Sequence, residues 1–212
     1  MITIVATDTG DEYHVQKTNL LEASAYFRKA LDGQFAEATS KRITLPGTDA
    51  DTVKMLVFWL CKNEVPKFGQ EVFEAYPHDE EGEPIGDGEC MREPMLLLAK
   101  LWTLGDQIMM PKLQDEVMWE IWELRGHVAP ARIMKEVWAI APPGSMLSKF
   151  CAFETAVRYD MDDISDSEVE QWDGVPGFLV EFARCMKRLR DEDMLEEDFM
   201  VQSPVCEPSR RP

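Results

Sequence analysis

Alternation of apolar and polar residues marks the start of the chain as strand-forming. Residues 2–6 are apolar and β-branched, and residues 12–17 alternate between apolar and polar side chains. The turn-forming sequence at residues 8–11, Asp-Thr-Gly-Asp, lies between them, so this region predicts a β-hairpin. Residues 42–45 predict a third strand, which a Pro-Gly pair closes.

Apolar residues spaced three and four positions apart predict helices in the rest of the chain. Short helices should follow the hairpin, with Ser24 as a candidate N-cap and Gly33 as a stop. A clearer helix is predicted over residues 49–62, where acidic residues favour its first turn. Two further helices are predicted over 95–109 and 111–124, the second with its proline in the first turn.

The order of predicted strands and helices divides the chain into a domain with an insertion, an extension and a tail. Residues 1–125 read as an α+β domain, interrupted at 63–93 by an acidic insertion rich in proline and glycine. Residues 126–190 read as an α-helical extension, and residues 191–212 as a disordered tail. The tail contains a few apolar residues, which either pack back on the body or form a short binding motif: Met194, Leu195, Phe199, Met200 and Val201.

Charge narrows the classes of partner. The chain has 212 residues, and 40 acidic against 22 basic residues give a formal net charge of −18. A surface this negative repels nucleic-acid phosphates and anionic membranes, so neither is an expected partner, while basic partners remain open. No apolar run approaches the roughly 20 residues of a membrane span.

The number and spacing of the cysteines, together with the first residues, favour location in the cytoplasm or nucleus. The five cysteines are an odd number, and none lie at metal-ligand or redox spacing, which indicates free thiols in a reducing compartment. The first residues lack the basic and long apolar regions of a signal peptide.

No pattern typical of catalysis, a cofactor site or a metal site stands out. The three histidines, His14, His78 and His127, are far apart in sequence, and no phosphate-loop or nucleophile motif occurs. Cys61 lies on an apolar helical face and is expected to be buried. Acidic clusters at 79–83 and 160–163 leave a metal-dependent hydrolase as a remote alternative, although linker and capping roles explain them better.

Tryptophans are the most unusual feature of the composition, with six in the chain. Trp119 and Trp122 are three residues apart on a predicted helix, and Met118 lies beside them. Packing between helices accounts for them. The sharper interpretation is a partner-binding patch, because Trp and Met are enriched at protein interfaces.

Three blocks of sequence, in order, resemble the BTB/POZ family over residues 1–125, in the form found in fungal BTB proteins. The blocks are Tyr13-His14-Val15-Gln16-Lys17 with Leu20-Leu21, Ser24 and Tyr26-Phe27; then Phe35-Ala36-Glu37-Ala38 with Ile43-Thr44-Leu45-Pro46, Asp49 and Trp59-Leu60; then Leu98, Leu101-Trp102, Leu104-Gly105-Asp106-Gln107 and Pro111-Lys112-Leu113-Gln114. The resemblance implies a small sheet with a helical cluster, followed here by the helical extension.

By this resemblance, the chain is expected to be a non-catalytic protein-interaction module, and specifically a substrate adaptor that binds a cullin scaffold in a ubiquitin ligase. Helices 49–62 and 95–123 would form the scaffold surface. No kelch, ankyrin, MATH or zinc-finger module accompanies them, so a self-associating scaffold or an indirect transcriptional regulator stays as the alternative. Gln16 replaces the usual His, so a charge-changing role at that position is not expected. A homodimer stays open, but the usual N-terminal dimerisation helix is absent, so obligate dimerisation through that interface is not implied.

Overall fold

A computed structural model describes residues 1–32, 35–68, 91–125, 131–158, 172 and 174–191. In these ranges the chain forms a small sheet and a set of helices, the α+β arrangement with a helical extension that the sequence predicts. The strands are β1 (Ile2–Ala6), β2 (Glu12–Val15) and β3 (Arg42–Leu45). The helices are α1 (Lys17–Ala23), α2 (Ala25–Asp32), α3 (Ala36–Ser40), α4 (Ala50–Lys62), α5 (Arg92–Gln107), α6 (Pro111–Arg125), α7 (Ala131–Ile140), α8 (Met146–Arg158) and α9 (Phe178–Asp191).

The first strand occupies the centre of the sheet, in the order β2-β1-β3. β1 pairs antiparallel with β2, with Ile4 opposite Tyr13, and parallel with β3, with Ile4 opposite Ile43. A parallel neighbour requires a crossover connection, and α1, α2 and α3 supply it. In the turn between β1 and β2, Gly10 has a φ of 77° and donates its N–H to the Ala6 carbonyl at 3.0 Å.

Three predicted helix starts are confirmed by their local geometry. The Asp49 carboxylate accepts from the Thr52 N–H at 2.8 Å and caps α4. Ser24 Oγ accepts from the Tyr26 N–H at 3.0 Å at the start of α2, and also donates to the Ile108 carbonyl. Pro111 begins α6, where its missing N–H has no partner to lose.

The main hydrophobic core joins the sheet to the helical extension. It contains Ile4 and Ile43 from the sheet, Leu56 from α4, and also Val137 from α7 and Phe150 from α8. The core that covers the apolar face of the sheet therefore continues past α6, the last helix of the predicted domain, into the helical extension. The extension is built onto the domain through α7, which packs against α5.

A second, smaller core lies between α8 and α9. Its buried residues are Ala152, Phe153, Ala156, Trp172, Phe178, Phe182 and Cys185. Trp138 of α7 packs against both cores. Its ring meets the Phe178 ring edge-on at 5.1 Å, and its indole N–H donates to the Pro176 carbonyl at 3.3 Å.

The structure differs from the sequence-based expectation at three places. Val65 and Met91 are buried, and α5 begins at Arg92, so both ends of the predicted 63–93 insertion belong to the packed fold. The short helix α3 was not anticipated, since five residues give no readable periodicity. The prediction that Cys61 is buried is wrong, because Cys61 lies about 100° beyond Leu60 around α4 and faces solvent.

Several sequence-based predictions lie outside the described residues. These are the stop at Gly33, His78 and His127, the acidic clusters at 79–83 and 160–163, and the tail from 192 onward. Within the described ranges, no helix is both long and apolar enough to cross a membrane.

Candidate protein-interaction surface

The end of α4 and the start of α6 are joined by a buried indole. Trp59 is 4% exposed, and its Nε1–H donates to Glu116 Oε2 at 2.8 Å. A buried indole N–H needs an acceptor, and a carboxylate on the neighbouring helix supplies one that is itself only partly exposed. This bond fixes the two helices relative to each other at the edge of the fold.

Lys112 closes the same junction from the solvent side. Its Nζ donates to Asn63 Oδ1 at 2.9 Å, lies 4.0 Å from Glu116 Oε1, and stands 5.9 Å from the centre of the Trp59 ring. Asn63 ends α4 with a left-handed φ of 58°, a conformation that asparagine tolerates. We call Trp59, Asn63, Lys112 and Glu116 the α4–α6 junction.

An exposed stripe runs along α4 beside this junction. Lys54, Phe58, Cys61 and Lys62 are all exposed, and Phe58 lies four residues after Lys54, three before Cys61 and four before Lys62. Phe58 is the large apolar residue of this stripe, with 37% of its surface exposed. We call these four residues the outer stripe. The exposed aromatic ring is the feature of this stripe that protein interfaces are enriched in, whereas lysines are depleted there.

The residues proposed from sequence, Met118, Trp119 and Trp122, do not form one exposed patch. Met118 is 2% exposed and belongs to the main core. Trp122 is half-buried, packs against that core, and its ring lies 6.1 Å from the Phe150 ring of α8. Trp119 is half-buried as well. A partner-binding role for the two tryptophans stays a prediction.

The described thiols and carboxylates offer little for catalysis. Burial raises the pKa of the Cys185 thiol to about 11 and that of Cys151 further, so neither is a thiolate at neutral pH. Burial, and then the negative charge of Glu116, raises the pKa of Asp115 on α6. Across the described residues, no group of three His, Cys, Asp or Glu side chains is placed to hold a metal ion.

Comparison with known families identifies the N-terminal part of the fold. Residues 2–74 match the BTB/POZ domain. The match covers about a third of the chain, from β1 through α4 and the outer stripe. BTB/POZ domains are in general non-catalytic protein-interaction modules, and the match supports that role for residues 2–74. No curated protein matches the chain significantly.

Sequence reasoning anticipated the helices of this surface but not its composition. The sequence predicts helices over 49–62 and 95–123, and α4, α5 and α6 lie there; binding of a scaffold by these helices stays a prediction. The junction bond between Trp59 and Glu116 could not be read from the sequence, because it joins residues 57 positions apart. The exposed Phe58 carried a signal that was missed, since it lies opposite the apolar face of α4 in helical projection.

Proposed function

We propose that the protein is a non-catalytic adaptor that holds a cullin scaffold on the BTB/POZ domain and a substrate on the helical extension, and that it belongs to the fungal type of BTB proteins. It would work by proximity, because two binding surfaces on one rigid body bring two proteins together. Its site of action would be the cytoplasm or nucleus.

The observation that supports the scaffold contact most is Phe58. Apolar side chains that helices leave exposed next to a fixed polar cluster favour a partner, because burying them releases free energy and the cluster sets orientation. The α4–α6 junction supplies that cluster within two turns of Phe58. Lys62 would then meet an acidic patch on the partner, since Lys54 already pairs with Asp51 at 2.8 Å.

Rigidity of the extension supports the second contact. The main core includes Ile133, Val137 and Phe150, so α7 and α8 are packed onto the domain and would move with it as one body. An adaptor needs such a fixed connection, because a partner held on a loose arm gains less effective concentration near its target.

The test is affinity purification of the tagged full-length chain from its native cell, followed by mass spectrometry. We compare the wild type with Phe58→Asp, and use Phe35→Asp as the matched control, since Phe35 is also an exposed phenylalanine at 60%. A cullin and a RING protein should come down with the wild type and the control. Phe58→Asp should weaken that recovery by roughly 30-fold, as loss of a central interface aromatic does.

Absence of a cullin from the wild-type sample would overturn the adaptor proposal. If the wild type, Phe58→Asp and Phe35→Asp recover the cullin equally, the outer stripe is not the surface that binds it. Thermal unfolding of each variant confirms beforehand that the substitutions leave the fold intact.

A self-associating scaffold is the second candidate, favoured by the sheet. Within the described ranges the sheet ends at β2 on one side and β3 on the other, and both strands have four residues. Open strand edges can pair with a second copy. The Glu12–Arg42 ion pair, at 2.7 Å, places charges at both edges and works against it. Sedimentation of the purified chain decides: a monomer at micromolar concentration would exclude this candidate.

A further inference from the structure

A groove opens in the helical extension, far along the chain from the surface described above. Helices α7, α8 and α9 and the segment before α9 enclose about 880 Å³, a volume within the range of ligand pockets. Much of its wall is apolar, with Trp138, Ala139, Pro143, Val175 and Pro176. We call this cavity the C-terminal groove.

The charged residues of the groove are unusual for so acidic a protein. Lys135, Lys149 and Arg184 line it together with two carboxylates. Both carboxylates already have cationic partners. Glu136 accepts from the Arg92 guanidinium at 3.0 and 2.5 Å, and Glu181 accepts from Arg184 at 2.9 Å. Arg92 balances Glu136 and Arg184 balances Glu181, so Lys135 and Lys149 leave the groove with a net positive charge in a chain whose net charge is −18.

The cationic character continues beyond the groove along α9. Lys187 and Arg188 follow Arg184 at spacings of three and four residues, so the three side chains share one face of the helix. All three are exposed. A ligand that enters the groove along α9 would meet positive charge before it meets the apolar wall, which suits a segment that is both acidic and apolar.

The chain itself contains such a segment directly after α9. Residues 192–201 read Glu-Asp-Met-Leu-Glu-Glu-Asp-Phe-Met-Val, with five acidic and five apolar residues. They follow the last residue of α9, Asp191, and lie outside the described residues. We propose that residues 192–201 bind the C-terminal groove of their own chain, with acids on Lys135 and Lys149 and apolar side chains on the Trp138 and Val175 wall.

Chain length permits the return. Arg184 and Asp191 are seven positions apart on α9, which is about 10 Å along the axis. Four extended residues cover about 13 Å, so Glu196 to Val201 reach the groove after the first few residues turn back. A covalently joined segment meets its site at an effective concentration near millimolar, which favours this occupant over a free acidic peptide.

The first test is zero-length carbodiimide cross-linking of the full-length chain, carried out on a mixture of unlabelled and nitrogen-15-labelled protein. We expect amide links between Lys135 or Lys149 and the acids of residues 192–198, with both linked peptides carrying the same isotope. Mixed-isotope links would overturn the proposal in favour of exchange with a second copy. Absence of any link from these lysines to the segment would overturn it outright.

The second test measures competition. A fluorescent peptide with the sequence of residues 192–201 is titrated into the full-length wild type and into Phe199→Asp/Met200→Asp, whose own segment should no longer fill the groove. The variant should bind the peptide about tenfold or more tightly than the wild type, because the tethered copy no longer competes. Equal binding by the two chains would contradict the proposal.

A charge-matched pair identifies the site in that second test. Lys149→Glu, added to the double variant, should abolish peptide binding. Lys29→Glu makes the same charge change on an exposed residue of α2, outside the groove, and should leave binding in place. If both changes weaken binding equally, the attraction is long-range charge and not the groove. Binding should also weaken as salt rises from 0.05 to 0.5 M, roughly the range over which screening shortens the reach of such charges.

Discussion

The two hydrophobic cores of this protein are filled by different types of side chain. The main core spreads over the sheet and many helices and is filled by branched aliphatic residues such as Ile4, Ile43 and Leu56. The second core has seven described buried residues, and most of its volume comes from four aromatic rings, Phe153, Trp172, Phe178 and Phe182. Large rings let a small helical cluster bury much apolar surface with few residues.

The difference implies that the second core depends on the first. A cluster this small buries too little surface to be stable alone. It is connected through Trp138, which packs against both cores, and through α8, where Cys151 belongs to the main core and Ala152 and Phe153 belong to the second. We therefore expect the two cores to unfold together. Two natural probes report on them separately: Cys151 belongs to the main core and Cys185 to the second.

The largest expected effects come from one phenylalanine in each core. Phe27 and Phe178 are both fully buried, and replacing either with alanine should lower the free energy of unfolding by about 3–5 kcal/mol. In urea, thiol labelling of Cys151 and Cys185 should show one common midpoint for each variant. If Cys185 in Phe178→Ala is labelled at a lower urea concentration than Cys151, the second core unfolds before the main core, which would contradict the expected joint unfolding.

Trp138→Ala tests the connection itself. The substitution removes contacts with both cores and the donor to the Pro176 carbonyl, and should cost roughly 2–4 kcal/mol. Trp122→Ala is the control, because Trp122 is equally half-buried but packs against the main core. Under native conditions, Trp138→Ala should speed the labelling of Cys185 and Trp122→Ala should not. Equal rates in the two variants would mean that Trp138 does not couple the cores.

A smaller effect on the free energy of unfolding is expected from the Arg92–Glu136 ion pair, which joins α5 to α7, two helices of the main core. The Arg92 and Glu136 side chains are 33% and 36% exposed, so solvent screens them, and the pair should contribute about 1 kcal/mol. A double-mutant cycle with Arg92→Met and Glu136→Gln measures that coupling by urea unfolding. The coupling should shrink in 0.5 M salt. A coupling that salt leaves unchanged would contradict a screened, partly exposed pair.

The smallest expected effect on the free energy of unfolding comes from Asp49, at the start of α4. Burial opposes ionisation of Asp49, but hydrogen bonds from Lys100 and from Thr52 outweigh it, so its pKa is lowered. A lowered folded-state pKa adds stability above the unfolded value of about 4, and that stability is lost as the pH falls through the folded pKa.

Two substitutions at Asp49 separate its charge from its capping role. Asp49→Asn keeps a capping oxygen but loses the charge that Lys100 contacts, while Asp49→Ala loses both and should cost about 1 kcal/mol more. Urea unfolding at pH 6 and pH 3 should show the wild-type advantage over Asp49→Asn shrinking at the lower pH. An advantage that is the same at both pH values would contradict the role of the carboxylate charge.

Local features of the fold could be predicted from sequence, because they depend on near neighbours in the chain. The strands at 2–6 and 42–45 follow from β-branched residues beside turns, and the start of α4 follows from Asp49 as a cap. The sequence also carried the BTB/POZ resemblance, which the match at 2–74 confirms for that part of the chain.

Candidate interface residues were harder to predict, because helical periodicity gives a face but not what covers it. The sequence left Met118, Trp119 and Trp122 open to packing between helices or to a partner-binding patch, and only the structure places Met118 in the main core. Cys61 was assigned to the buried face of α4, yet it lies just past the edge of that face. A shift of one residue changes direction by about 100°, which is enough to move a side chain from core to solvent.

The amino-acid sequence by itself determined the elements, the net charge and the acidic, apolar segment that follows α9. Only the tertiary structure decided that β1 is central and parallel to β3, that Trp59 meets Glu116, and that Lys135, Lys149 and Arg184 line one groove. The physical reason is distance along the chain. Caps and periodicity act within a few residues, whereas these contacts join distant residues and exist only once the helices have packed.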